Sequence, residues 1–360
     1  MTGVAPLMTQ AKWQLIRNNK ALDDAALAGL SAGVLNAMGL VANFAQRVLL
    51  VGHASCTTNN PHAAGLDCGA CGGQSGEVNV KLLAQLLNSP GVRGELLAHN
   101  ISIPENTRFV ACLHNTTSDD LVIFEDGFAY AHEAWRNWLL GATQAAQQKR
   151  AASLGIAVNT TANTMHKSYL AKSRNWSEIR PEWGLANNAA FIVAPRSLTQ
   201  PIDLQCRSFL HDYECTADAE YSTLELIITA PMVVTNWINM QYYASVTDNK
   251  KYGSGNKLLH NVVGGAMGVF EGNGGDLRIG LPLQSIHDGK DWRHQPLRLS
   301  VYIAAPQQAI LDIVSRHKHV ESLINNGWLY LFQIDPTANH ISQLKNGQWT
   351  LVGTGVSHAA

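Results

Sequence analysis

The stretch "GHASCTTNNPHAAGLDCGACGG", Gly52 to Gly73, gathers three of the chain's six cysteines and two of its 14 histidines within 22 residues. Thiolate sulfur and imidazole nitrogen are donors that zinc takes readily. By themselves, His53-x2-Cys56 and Cys68-x2-Cys71, eleven residues apart, read as two ligand pairs able to close a four-coordinate structural site. Two other chemistries stay open at this point. Cys56 and Cys71 could be small buried residues, as free cysteines often are. Cys68 and Cys71 could form a redox pair. That reading fits less well, because a thioredoxin-like pair leads straight into a helix, whereas Gly72-Gly73-Gln74-Ser75-Gly76 follows here.

The elements around this loop alternate between strand, polar loop and helix. An apolar strand over Arg47 to Val51 ends in Gly52-His53, and the cysteine loop follows it. Val78 to Leu87 predicts a helix closed by Asn88-Ser89-Pro90-Gly91. A second buried strand, Arg108 to Leu113, runs into His114-Asn115-Thr116-Thr117-Ser118-Asp119-Asp120, and a long helix is expected from Phe128 to about Ser153. Residues 9 to 44 read as helix. Alternation of this kind implies an α/β fold, with a mostly parallel sheet flanked by helices. In such sheets ligands collect at the carboxyl ends of the strands, so His53 and the His114 loop should share a rim. Asp119 and Asp120 are expected to cap the following helix rather than to act in catalysis.

The second half has a different texture. Strands are expected at Ala190–Ala194, Val301–Ala305 and Leu329–Ile334, with a single helix from Gln307 to about Asn325. The glycine-rich run Gly253 to Ser285 matches neither a P-loop nor a dinucleotide fingerprint and reads as loops. The expected organisation is an α/β region over residues 1–160 and an α+β region over 161–360, with a soft boundary at about 155 to 175.

Composition narrows the function classes. A formal net charge of −1 and the lack of any Lys/Arg run exclude non-specific nucleic-acid binding, which needs a positive field. Six cysteines in 360 residues are too few for a disulfide scaffold. The first twenty residues lack the basic-then-apolar order of a signal peptide. Ala25–Ala45 and Leu226–Val246 are uncharged over 21 residues each, but their asparagines and Pro231 favour buried or docking segments over spanning ones.

Several separate motifs, in one order, extend this picture: the Gly52–Gly73 stretch, "FVACLHNTTSDD", "RPEWGLANNAAFIVAPR", "FLHDYE" and "TAPMVVTNWINMQYY". Together they resemble the C-terminal part of the DabA family, zinc proteins of bacterial inorganic-carbon uptake, over about residues 30 to 335. The resemblance implies a β-carbonic-anhydrase-like core in which zinc is held by a split site. His53 and Cys68 match the two downstream ligands, while Cys56 and Cys71 match positions that are not ligands. The upstream half of that site, a Cys-x-Asp pair, occurs nowhere in this chain. An upstream polypeptide is therefore expected to supply the other ligands, and the isolated chain should hold zinc poorly, since two ligands cannot close a tetrahedron.

The implied activity is vectorial hydration of CO2 to bicarbonate, at the cytoplasmic face of the inner membrane, as a peripheral partner of a DabB-like ion-translocating membrane subunit. Asp67 and His62 become candidates for orienting a ligand. Leu226–Val246, with Trp237, Tyr242 and Tyr243, is either core or partner-docking surface. The rival readings are a non-enzymatic protein stapled by zinc on His53, Cys56, Cys68 and Cys71, and a metal-free thiol oxidoreductase.

Overall fold

The computed structural model describes residues 13–56, 75–124, 133–175, 178, 183–253, 281, 283–335 and 340–354. The described chain forms two compact units, the first lying before Leu185 except for Asn36–Gly39, which group with the second.

The first unit opens with a tiny hairpin, β1 (Ile16–Arg17) and β2 (Lys20–Ala21), ahead of the helix Asp24–Ala37. This corrects the expectation of helix throughout residues 9 to 44. Asn18 and Asn19 have φ of 51° and 61°, the paired left-handed conformation of a two-residue hairpin turn, which asparagine tolerates. Three strands follow: β3 (Arg47–Ala54), β4 (Arg108–Asn115) and β5 (Leu121–Ile123). β3 and β4 run parallel, joined through the helices Glu77–Leu87 and Pro90–Leu96, while β5 returns antiparallel on β4. The link from β4 to β5 is a tight turn, too short for a crossover, so antiparallel pairing is forced.

β4 is central and covered on both faces, with period-two alternation. Phe109 and Ala111 join Leu50, Leu35, Leu87 and Leu96 on one face. Val110 and Cys112 face the other way, toward Leu49, Ile123 and Trp135. The helix expected from Phe128 runs from Glu133 to Ala151 among the described residues and ends in a short 3-10 turn, Ala152–Leu154. The helix Ala162–Ser173 packs beside it, with Tyr169, Met165 and Leu154 in a small core of their own.

The second unit holds the larger sheet. Its strands are β6 (Ala190–Ala194), β7 (Ser208–Asp212), β8 (Leu299–Ile303), β9 (Leu329–Asp335), β10 (His340–Lys345) and β11 (Gln348–Thr354), in the order β11-β10-β9-β8-β6-β7. β7, β6, β8 and β9 are mutually parallel, and β9, β10 and β11 form an antiparallel meander. Both multi-stranded sheets are thus mixed, and the longer parallel run lies in the half expected to be α+β. Asn346 and Gly347, with φ of 51° and 73°, close the β10–β11 hairpin as an Asn-Gly turn.

Burial drives this architecture. Val193, Val301, Ile303, Leu329 and Leu331 on the sheet meet Leu224, Ile227, Ile310, Ile313 and Val320 on helices. The helix expected over 307–325 is two, Gln307–Arg316 and Lys318–Asn325, broken at His317, whose backbone leaves the helical region at φ −116° and ψ 88°. Leu226–Val246 divides likewise into Ser222–Thr229 and Pro231–Thr247, because proline cannot continue the preceding helix but suits the first turn of the next. Met232, Val233, Asn236, Asn239 and Tyr242 are buried there, whereas Trp237 is exposed. Among the described residues no helix is long and apolar enough to cross a membrane.

Candidate functional site

His53 stands one residue from the carboxyl end of β3, in register with His114 on β4, and its side chain is exposed. A close backbone contact sets its position. The Gly76 amide donates to the His53 carbonyl at 3.0 Å, at the start of the helix Glu77–Leu87. A Cβ on Gly52 would fall 2.8 Å from the Gly76 carbonyl oxygen, and one on Gly76 would fall 3.0 Å from the His53 nitrogen. Only glycine lets strand end and helix start touch this closely.

The turn after β4 braces the same rim. The side-chain oxygen of buried Asn115 accepts from the Cys56 amide at 3.1 Å and from the Thr117 amide at 3.1 Å. The Thr116 amide donates to the Ala54 carbonyl at 2.9 Å. Asp119, 6% exposed, adopts a left-handed φ of 60° that directs its chain back toward β5. Its carboxylate accepts from Arg150 at 2.5 Å and lies 3.0 Å from His114 Nε2. Arg150 also donates to the Thr116 carbonyl at 3.2 Å. Asp120 accepts from the Ser118 hydroxyl at 2.7 Å and lies 3.5 Å from His166 Nδ1.

Behind this turn, buried Gln147 donates to the Ser118 carbonyl at 2.7 Å and lies 3.1 Å from His166 Nδ1. The Tyr169 hydroxyl donates to the Gln147 carbonyl at 2.7 Å. Burial holds the Tyr169 phenol up at about 12, against the opposing pull of Arg150. The expectation that Asp119 and Asp120 cap a helix is corrected: a strand, Leu121–Ile123, follows them. They are acceptors within a polar cluster that fixes the loop.

His53 and Cys56 lie at the carboxyl end of the parallel pair, and the His114 loop shares that rim. Cys68, the second expected ligand, lies outside the described residues, as do Cys71, His62 and Asp67. Among the described residues no group of three or more His, Cys, Asp or Glu side chains could hold a metal ion. Residues not singled out from sequence are Asn115, Gln147, Arg150 and His166. The only local signal for them was the density of polar residues after Leu113, which marks a hydrogen-bonded turn but not its partners.

Fold and site together define an α/β protein whose polar rim, carrying an exposed histidine, crowns a parallel strand pair. A family model described as "Probable inorganic carbon transporter subunit DabA" matches residues 5–329, and the chain belongs to that family. Proteins of the same description are 55% identical over 94% of this chain in Hydrogenovibrio crunogenus, 50% over 89% in Acidithiobacillus ferrooxidans and 49% over 95% in Marinomonas sp.. The chain spans only 40%, 40% and 42% of those relatives' lengths, respectively. No solved structure matches it.

Proposed function

We propose that this chain is the C-terminal part of a zinc-dependent inorganic-carbon uptake subunit with a β-carbonic-anhydrase-like core. The subunit hydrates CO2 to bicarbonate vectorially, as a peripheral partner of an ion-translocating membrane subunit at the cytoplasmic face of the inner membrane. The observation that carries this reading is the seat of His53. An imidazole is held by a backbone-to-backbone contact at the carboxyl end of a parallel pair, where α/β proteins place their ligands. Family membership supports the rest.

The donor chemistry fits zinc. His53 would bind as neutral imidazole and Cys68 as thiolate, with the remaining donors coming from an upstream stretch of protein. Zinc held by these donors would lower the pKa of a water in its open position to about 7, making hydroxide available for CO2 at neutral pH. The chain's own residues do the positioning. The Gly52–Gly76 contact fixes the backbone of His53, and Asn115 ties Cys56 to the end of β4. The Asp119–Arg150–His114 cluster braces the β4–β5 turn at the same rim.

Metal content tests the proposal without reference to turnover. The purified chain should carry little zinc alone and one equivalent when combined with the upstream polypeptide. His53→Ala or Cys68→Ser should abolish that uptake, and Cys56→Ser should not. Stoichiometric zinc in the lone chain that is lost on replacing Cys56 or Cys71 would overturn the split site in favour of a compact structural module.

A further inference from the structure

The first unit holds a second feature, involving neither His53 nor Cys68. A cavity of about 520 Å³ is lined by the amino-terminal hairpin, the start of the helix Asp24–Ala37, and the junction between the helices Glu77–Leu87 and Pro90–Leu96. Its apolar lining comes from Trp13, Leu15, Leu22, Leu27, Leu86 and Val92. Leu86 and Val92 are buried, so that side of the wall belongs to the core.

The hairpin side is fixed by two devices. The Leu22 amide donates to the Leu15 carbonyl at 2.9 Å, which extends the pairing beyond β1 and β2. Gln85 then holds Trp13 as a neighbouring strand would. Its side-chain oxygen accepts from the Trp13 amide at 2.8 Å, and its side-chain nitrogen donates to the Trp13 carbonyl at 2.8 Å.

The polar lining is largely committed to the fold, with one exception. Gln85 is taken by Trp13, and the Asn88 side chain donates to the Phe109 carbonyl at 2.7 Å and accepts from the Phe109 amide at 3.0 Å. Asp24 is different. It is the one charged residue in the described lining, and it is exposed, which puts its carboxylate at the mouth. The helix does not need it as a cap, because Asp23 accepts from the Ala26 amide at 2.9 Å. Among the described residues no cation or hydrogen-bond donor pairs with the Asp24 carboxylate. It lies so close over Gly91 that a Cβ there would collide with Asp24 Oδ2. Ser89, also in the lining, makes no side-chain cap bond to the helix it precedes.

We propose that this cavity binds a small organic ammonium ion, a protonated amine carried on a compact apolar body. The apolar body leaves water for leucine, valine and tryptophan surface. The ammonium group donates to the Asp24 carboxylate in charge-assisted bonds, and the Ser89 hydroxyl offers a further acceptor. A tryptophan in the wall also suits a cation. The cavity volume lies within the range of small-molecule sites. An anionic ligand would meet a like charge at the mouth, and a neutral one would gain nothing from Asp24.

Calorimetric titration of the full chain at low salt with phenethylammonium, 2-phenylethanol and phenylacetate tests the site. The three probes share a phenyl body and differ in the charge of the head group. Phenethylammonium should bind at one equivalent with a dissociation constant of about 1 mM. The alcohol should bind about fivefold more weakly, and phenylacetate should not saturate. Asp24→Asn should bring the ammonium and the alcohol to within about twofold of each other. Gly91→Ala, whose Cβ displaces the carboxylate but suits a helix, should shrink the same preference. Circular dichroism on each variant establishes that it is folded. Equal affinity for ammonium and alcohol, tighter binding of phenylacetate, or no uptake by the folded chain overturns the proposal. So does an ammonium preference that survives in both variants.

Discussion

Both units bury polar side chains, but they treat them differently. In the first, Asp119, Asn115 and Gln147 are buried and satisfied by partners on separate elements. In the second, Asn188, Asn236, Asn239 and His294 are buried, and their Oδ1 atoms, or Nε2 in His294, lack a hydrogen-bond partner among the described residues. His294 and Asn239 nonetheless reach neighbouring backbone groups. The Asn187 amide donates to His294 Nδ1 at 2.8 Å, Asn239 donates to the Asn188 carbonyl at 3.4 Å, and the Tyr242 ring lies 4.9 Å from that of His294. A paired buried network rigidifies what it touches, while each unpaired group costs about 1–3 kcal/mol. The first arrangement positions a rim; the second leaves polarity whose removal the fold should tolerate.

Substitutions can break that contrast. The largest effect is expected at Asp119. Asp119→Ala leaves Arg150 and His114 without their carboxylate and should cost about 3 kcal/mol, read as a lower urea midpoint.

Acid should act next, on the second unit. Burial, and then the charge of Arg207, hold His294 down at about 4. Between about pH 6.5 and 4 the unfolded chain therefore binds a proton that the folded chain refuses. The contribution of neutral His294 is complete above about pH 6.5 and declines as pH falls through that window, by up to about 1.4 kcal/mol per unit. Urea midpoints at pH 7 and pH 5 should show His294→Gln losing part of the wild-type slope.

A smaller change is expected for Asn236→Leu, less than about 1 kcal/mol in either direction, because its buried oxygen accepts no hydrogen bond among the described residues. A loss comparable to that of Asp119→Ala would erase the distinction between the units. Smallest of all is Glu225→Gln. Glu225 accepts from Arg316 at 2.9 Å and lies 2.6 Å from His317, and these partners hold its carboxyl below the usual range. The site is partly exposed, so the expected loss in thermal stability corresponds to about 0.5 kcal/mol.

Much of the fold was legible locally. The apolar runs beginning at Arg47, Arg108, Ala190 and Leu329 are strands, and the Val78–Leu87 run is helix. Asn18-Asn19 and Asn346-Gly347 carried hairpin signals, yet the helix-favouring composition around the first pair obscured the turn. The break at His317 was not legible. The residues from Gln307 onward keep helical periodicity on both sides of it, and the geometry at His317 accompanies its contact with Glu225, a residue 92 positions away. The candidate rim was legible in part: His53 was singled out by residue type and by its place after a strand.

Sequence alone determined the donor types between Gly52 and Gly73, the α/β alternation, the low net charge and the family motifs, because each is written in residues close together along the chain. Only tertiary structure decided that His53 lies beside His114, that Asp119 meets Arg150, and that Trp13, Asp24 and Gln85 line one cavity. Local pattern selects helix or strand through steric and solvation preferences acting over a few residues. The choice of a charged group's partner depends on how distant segments pack, and on which polar atoms that packing removes from water.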